Sequence, residues 1–247
     1  MPSWYEQFFG GLYSRVLAHQ FDDATSLKQA RLVKRLLKVR QGARVLDIPC
    51  GQGRLTLPLA RMGLEMTGVD LTPSYVRKAR RLARREGLAA RFLCRDMRRI
   101  DFDGEFDAAF NWFSSFGYFS DADDLAFLKR VLAALRPGGR FAIEMINKSF
   151  VVAHLRRTHR HVFGGVDVCV RNRWDAHTSR MVSLWTFRRG KAAERHRTCN
   201  RLYNGHDMRG VLRQAGFRDV ALVGWPPVGR LTRHSRRLIA VARRPAG

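Results

Sequence analysis

A chain of 247 residues with 45% apolar residues can bury one sizeable core, and its longest apolar runs, such as 238–241, fall far short of the roughly 20 residues of a membrane-spanning helix. The four cysteines, Cys50, Cys94, Cys169 and Cys199, contain no C-x-x-C pair, which sets aside a disulfide framework and a zinc knuckle. The net charge of +25 is uneven: 24 Lys and Arg face 16 Asp and Glu over 1–147, but 22 face 5 over 148–247. A positive field concentrates anions, so the last hundred residues suit an acidic small molecule or a phosphate backbone. The competing explanation is a simple preference for Arg at solvated positions, with 39 Arg against 7 Lys. Glu6 and the lack of basic residues before the first aromatics are the wrong order for a secretory signal, and the expected location is cytoplasmic.

The stretch before residue 42 reads as two helices, the second with Leu27, Ala30, Val33 and Leu37 on one side. From 43 to 147 short apolar strands alternate with amphipathic helices, the rhythm of βαβ units on a parallel sheet. Strands are expected at 43–48, 65–69, 90–94, 106–111 and 140–146. The intervening helices cover 55–62, a segment opened by Thr72-Pro73 that buries Val76, Ala79 and Ala83, and a segment capped by Ser120 with Leu125, Leu128, Leu132 and Leu135 as its buried stripe. After Asn147 the pattern changes to extended segments at 161–174, 181–189 and 191–203, an antiparallel β insertion. A helix over 206–215 and strands at 217–223 and 238–242 return to the core.

The chemistry-bearing residues stand at the ends of the first three strands. Asp47-Ile-Pro-Cys-Gly51-Gln-Gly53-Arg54 leads from a strand into a helix, and its glycines let the backbone approach a ligand. A dinucleotide site of the G-x-G-x-x-G type would need glycine at position 56, where Thr56 stands. Asp70 ends the second strand, where a carboxylate can accept both ribose hydroxyls of an adenosine moiety. Asp96 and Met97 follow the third strand, placed for an adenine amino group and ring. Taken singly, each aspartate could be an ordinary turn residue.

With Val45–Arg54, Gly68-Val-Asp-Leu71, Arg95-Asp-Met97, Phe106-Asp107, Phe116-Gly-Tyr118 and Leu135-Arg-Pro-Gly-Gly139 together, the chain resembles the class I S-adenosylmethionine-dependent methyltransferases. More narrowly it is similar to the bacterial small-molecule branch related to sugar N-methyltransferases. The resemblance implies a Rossmann-like α/β fold with a seven-stranded sheet of order 3-2-1-4-5-7-6, the last strand antiparallel. It implies one methyltransferase domain with a helical cap (1–42), a cofactor core (43–147), a β insertion over the substrate (148–205) and closing core elements (206–247). It implies S-adenosyl-L-methionine as cofactor, with Asp47, Gly51 and Gly53 at its methionyl part, Asp70 and Leu71 at the ribose, Asp96 and Met97 at the adenine, Asn111 beside the sulfonium and Tyr13 closing over it. Pro49 departs from the family's glycine and removes an N–H, leaving the ligand to the amides of its neighbours.

The acceptor expected is a small molecule bearing an amine or a hydroxyl, with an anionic one among the options and no membrane partner. The alternatives are an RNA or protein methyltransferase using the basic C-terminal part, and a cofactor-binding protein without turnover. Phe113, Phe116 and Tyr118 are candidates for the acceptor pocket, and Arg201 and Tyr203 for contact with an acidic group. Glu144, His154 and His206 are the candidate bases, none singled out by its spacing. No metal site is expected.

Overall fold

The computed structural model describes residues 3–246. Three helices open it, α1 (Trp4–Phe8), α2 (Gly11–Gln20) and α3 (Asp23–Leu37), where two were expected. The break between the first two falls at Gly11, in the left-handed region at φ +52. A Cβ there would lie 2.5 Å from a carboxylate oxygen of Glu194, which instead accepts the Leu12 N–H at 3.0 Å and starts α2. Asp22 caps α3 by accepting the Thr25 N–H at 2.7 Å. Ala30, Val33 and Leu37 are buried as expected, whereas Leu27 is 38% exposed.

Five parallel strands follow, β1 (Arg44–Asp47), β2 (Glu65–Asp70), β3 (Ala90–Cys94), β4 (Phe106–Asn111) and β5 (Leu135–Ile146). They alternate with α4 (Thr56–Arg61), α5 (Pro73–Arg85) and α6 (Asp121–Ala134). Strand side chains alternate between faces, and both faces here are covered. Leu46, Ala109, Phe141 and Ile143 pack in one cluster with Phe127, Leu128 and Val131 of α6. Val45, Ala108, Phe110 and Ala142 pack in another with Ala30, Val33 and Leu37 of α3. The buried stripe of α6 is Phe127, Leu128, Val131 and Ala134, joined by Asp124; Leu125 and Leu132 are only half-buried, and Leu135 begins β5 rather than ending the helix.

Helix α7 (Lys148–Ala153), unexpected from the sequence, leads into a separate antiparallel sheet of β6 (Thr158–Phe163), β7 (Val166–Asp175), β8 (Arg180–Arg189) and β9 (Ala192–Arg201). The segment 161–174 is thus two strands, because Gly164 and Gly165 both take positive φ and turn the chain. Val166, Val168, Val170 and Phe187 of this sheet pack on Phe8, Leu12, Tyr13 and Val16 of the N-terminal helices. The chain closes with α8 (Gly205–Gln214), β10 (Arg218–Trp225), a two-residue strand β11 (Gly229–Arg230) and β12 (Arg237–Arg243). The sheet order is β11-β10-β12-β5-β4-β1-β2-β3, with β12 antiparallel to β5. This is the expected order 3-2-1-4-5-7-6 with its antiparallel seventh strand, extended at one edge by β11. Among the described residues no helix is long and apolar enough to cross a membrane.

Candidate cofactor and acceptor site

A cavity of about 710 Å3 lies at the carboxyl ends of β1 to β4, roofed by residues of α1 and α2. Ligands of parallel α/β sheets bind at this end because the strand-to-helix turns meet there. The turn after β1 is shaped for close approach: Gly51 has φ +56 and Gly53 φ +83, and a Cβ on Gly53 would stand 3.2 Å from Leu57 Cγ and 3.3 Å from Ala79 Cβ. Asp70 ties this turn to the end of β2, its Oδ2 accepting the Gly51 N–H and its Oδ1 the Thr72 N–H, both at 2.8 Å. Thr72 therefore precedes α5 without a capping bond from its own side chain. Burial raises the Asp70 carboxyl above its ordinary range, against the lowering effect of those two donors.

Asp47 lies at the floor, 2% exposed, with its Oδ2 accepting the Thr56 hydroxyl at 2.6 Å. Burial pushes this carboxyl up to about 8, opposed by the Thr56 hydrogen bond and by the charge of Arg54. Arg54 itself donates from Nη1 to Gln29 Oε1 at 2.8 Å, lies 4.2 Å from the Phe21 ring centroid and 5.9 Å from that of Phe113, and is lowered to about 10 by burial. At the other end, burial opposes ionisation of Asp96, but the Arg98 guanidinium and backbone N–H outweigh it and hold the carboxyl below its usual range.

Of the residues singled out in the sequence, Tyr13, Asp47, Pro49, Gly51, Gly53, Asp70, Leu71, Asp96, Met97, Phe113 and Tyr118 line this cavity. Four others do not. Asn111 is fully buried, its Nδ2 donating to the Ile48 carbonyl at 2.8 Å, so it braces the loop rather than the cavity wall. Phe116 is a core residue against Phe127 and Tyr203. Tyr203 donates its hydroxyl to buried Asp124 at 3.1 Å, and Arg201 pairs with Asp121 and the Thr178 carbonyl. None of the three candidate bases reaches the cavity: Glu144 is buried in an ion pair with Arg237, His154 is exposed and stacked on Phe150, and His206 is exposed.

Arg54 is a lining residue that sequence reasoning passed over. It stood in the quoted motif, immediately after the glycines, but an arginine in so arginine-rich a chain carries little signal until Phe21, Phe113 and Gln29 are seen around it. The N-terminal aromatics Tyr5, Phe9 and Phe21, which also line the cavity, were equally silent because their helices precede the motif-bearing core.

Residues 45–139 match a family model described as a methyltransferase domain. The chain is 30% identical over 152 residues to a putative methyltransferase of Bacillus subtilis (strain 168), covering 60% of this chain and 58% of that protein. The chain spans about half the length of the curated relatives it matches. Among solved structures it superposes on an S-adenosylmethionine-dependent methyltransferase from Clostridium acetobutylicum with a TM-score of 0.78 at 19% identity, covering 98% of this chain and 99% of the other. It superposes on a sugar N-methyltransferase from a Streptoalloteichus species with a TM-score of 0.66 at 20% identity, covering 98% and 92%. The fold is therefore the Rossmann-like α/β fold of these methyltransferases, antiparallel sheet included.

Proposed function

We propose that the chain is a methyltransferase that binds S-adenosyl-L-methionine at the glycine turn and transfers its methyl group to an amine on a small molecule. The observation that carries this reading is the charge pattern at one end of the cavity. Asp47 and Arg54 stand together at the turn, an acid and a base complementary to the ammonium and carboxylate of a free amino acid, while Asp70 marks the end where a ribose would be accepted. A cavity of about 710 Å3 with mostly apolar walls and a few convergent polar groups suits a ligand of this size. The donor set fits the cofactor: each Asp70 oxygen uses one lone pair on a backbone N–H and keeps another for a hydroxyl.

When bound, the cofactor supplies a methyl group already activated on a sulfonium, so the chain need only position an acceptor, exclude water and leave the acceptor's lone pair free. Phe9, Tyr13, Phe113 and Tyr118 would form the dry part of the site, and the N-terminal helices would cap it, with the 148–205 sheet packed behind them and no residue of that segment in the cavity wall. Burial pushes the Tyr13 hydroxyl up to about 12 and that of Tyr118 still higher, so neither phenol takes a proton near neutrality. Glu86 is committed to Arg61 and Asp96 to Arg98. An amine entering as its free base suits such a wall, whereas a hydroxyl would call for a general base.

The test is methyl transfer from labelled cofactor to matched sets of amines, amino sugars and alcohols. Product from amines and not from the alcohols, lost in Asp47→Asn, supports the proposal. Tight cofactor binding with no product from any acceptor would make the chain a binding protein without turnover.

A further inference from the structure

The antiparallel sheet buries one face against the N-terminal helices and leaves the other bare. Along β7 and β8 the buried positions are Val166, Val168, Val170, Met181, Ser183 and Phe187. Side chains alternate along a strand, so the intervening positions form the opposite face. There Arg171 of β7 lies in register with Leu184 of β8 and through it with Arg197 of β9, and Arg160 of β6 is carried through Cys169 and Thr186 to Arg195. Arg173 continues the β7 row. Two short rows of two arginines each, Arg171 and Arg173 on β7 and Arg195 and Arg197 on β9, thus flank a neutral ridge of Val182, Leu184 and Thr186. With strands about 4.8 Å apart and two residues advancing about 6.8 Å, the rows stand about 10 Å apart and the two charges within each about 6.8 Å apart.

These arginines are exposed, and none joins an ion pair among the described residues. The nearby acids are engaged elsewhere: Glu194 accepts the Leu12 N–H on the other face, and Asp175 accepts N–H groups of its own turn. Asp167 and Asp175 stand at the two ends of the β7 row, and neither pairs with these arginines. We propose that this face binds nucleic acid as a single strand lying along β8, held through its phosphates by the two arginine rows. Cations one strand step apart on either side of a neutral ridge match the repeated anions of such a backbone. The aromatic residues Trp185 and Phe187 point to the other face, so the surface offers charge for a backbone rather than platforms for stacked bases. The same lack of aromatic residues argues against insertion into a lipid surface, and like charge argues against a second copy pairing face to face. Because the inner face packs on the helices that roof the cavity, the bare face is directed away from it. A strand held there is a partner and not the methyl acceptor, so the inference stands apart from the proposed reaction.

The test is fluorescence anisotropy of a labelled single-stranded RNA of about 16 nucleotides with the full chain, its Arg171→Glu/Arg197→Glu variant and an Arg81→Glu/Arg84→Glu control. Arg81 and Arg84 are exposed on α5, and the control changes net charge by the same amount. Retained S-adenosylhomocysteine binding in both variants reports that the fold is intact. The expected result is a loss of about tenfold or more in the sheet variant only, with the slope of log K against log salt reduced by about 1.4 for two lost phosphate contacts. Arg171→Gln/Arg197→Gln should show a smaller loss of the same kind. Equal loss in the control, no RNA binding at low salt, tighter capture by anionic vesicles, or a dimer that the sheet variant dissolves would each overturn the proposal.

Discussion

The Glu144 carboxylate accepts the backbone N–H of Phe113 at 2.8 Å while it is paired with Arg237. Phe113 and Ser114 both have positive φ, +66 and +58, in the turn that follows β4. Non-glycine residues in this region are strained and persist only where their surroundings hold them. Here the hold comes from Glu144 on Phe113 N–H, the Glu144 carbonyl on Ser114 N–H at 3.1 Å, and Arg237 Nη2 donating to Ser114 Oγ at 3.0 Å.

Glu144→Ala should therefore act on stability and on the shape of the Phe113 wall. Removing one partner strands a buried Arg237, a loss of about 3–5 kcal/mol, read as a lower urea midpoint. Simultaneous Arg237→Met should recover part of that loss. A Glu144→Gln variant that keeps its stability and cofactor affinity but loses all methyl transfer would instead mark Glu144 as a base.

The pH dependence of ligand binding should follow Asp47. Burial pushes its carboxyl up to about 8, and an ammonium placed beside it favours the ionised form. Affinity for S-adenosylhomocysteine should rise with pH up to about 8 and level off there, with proton release below that point. Calorimetry in buffers of different ionisation enthalpy measures the released proton, and Asp47→Asn should abolish the release. For folding stability the sign is reversed. A carboxyl raised in the folded state contributes stability that is complete below its unfolded value near 3.8 and is lost as pH rises through about 8.

Tyr203→Phe should lower stability by about 1–3 kcal/mol by depriving buried Asp124 of its hydroxyl donor. It should leave the binding of S-adenosylhomocysteine unchanged, since Tyr203 lies in the core beside Phe116. Denaturation and calorimetry on the same preparation separate the two effects. A selective loss of acceptor affinity with unchanged stability would restore Tyr203 to the substrate site.

Gly53→Ala should weaken the glycine turn after β1. Alanine at φ +83 costs about 1–2 kcal/mol, and its methyl group would press on Leu57 and Ala79. Reduced thermal stability together with reduced affinity for S-adenosylhomocysteine is expected, measured by thermal unfolding with and without the ligand.

What the sequence revealed and what it hid divide along physical lines. The strands from β1 to β4 were legible because each is a short apolar run closed by a turn, and the glycine turn with Asp70 and Asp96 stood at their ends. The face of α6 was misread in part because Leu125-Leu128-Leu132 and Phe127-Val131-Ala134 both fit a helical repeat; contact with the sheet selects the second together with Leu128, and leaves Leu125 and Leu132 half-buried. The Gly164-Gly165 turn was passed over inside an extended-looking run. Phe116, Tyr203 and Asn111 were placed at the ligand because residue type does not encode depth: aromatic and amide side chains serve a core and a pocket equally well. Arg54 shows the converse, a residue whose surroundings come from α3 and the turn after β4 and so cannot be read locally.

The most direct measurement is calorimetric titration of the chain with S-adenosylhomocysteine, with NAD as the control ligand and Asp70→Ala as the control protein. Saturable binding of S-adenosylhomocysteine, no heat with NAD and a loss of about tenfold or more in the variant, as expected for hydrogen bonds to a charged group, is the predicted result. Failure to bind S-adenosylhomocysteine, or a preference for NAD, would contradict the assignment of this cavity to a methyl donor.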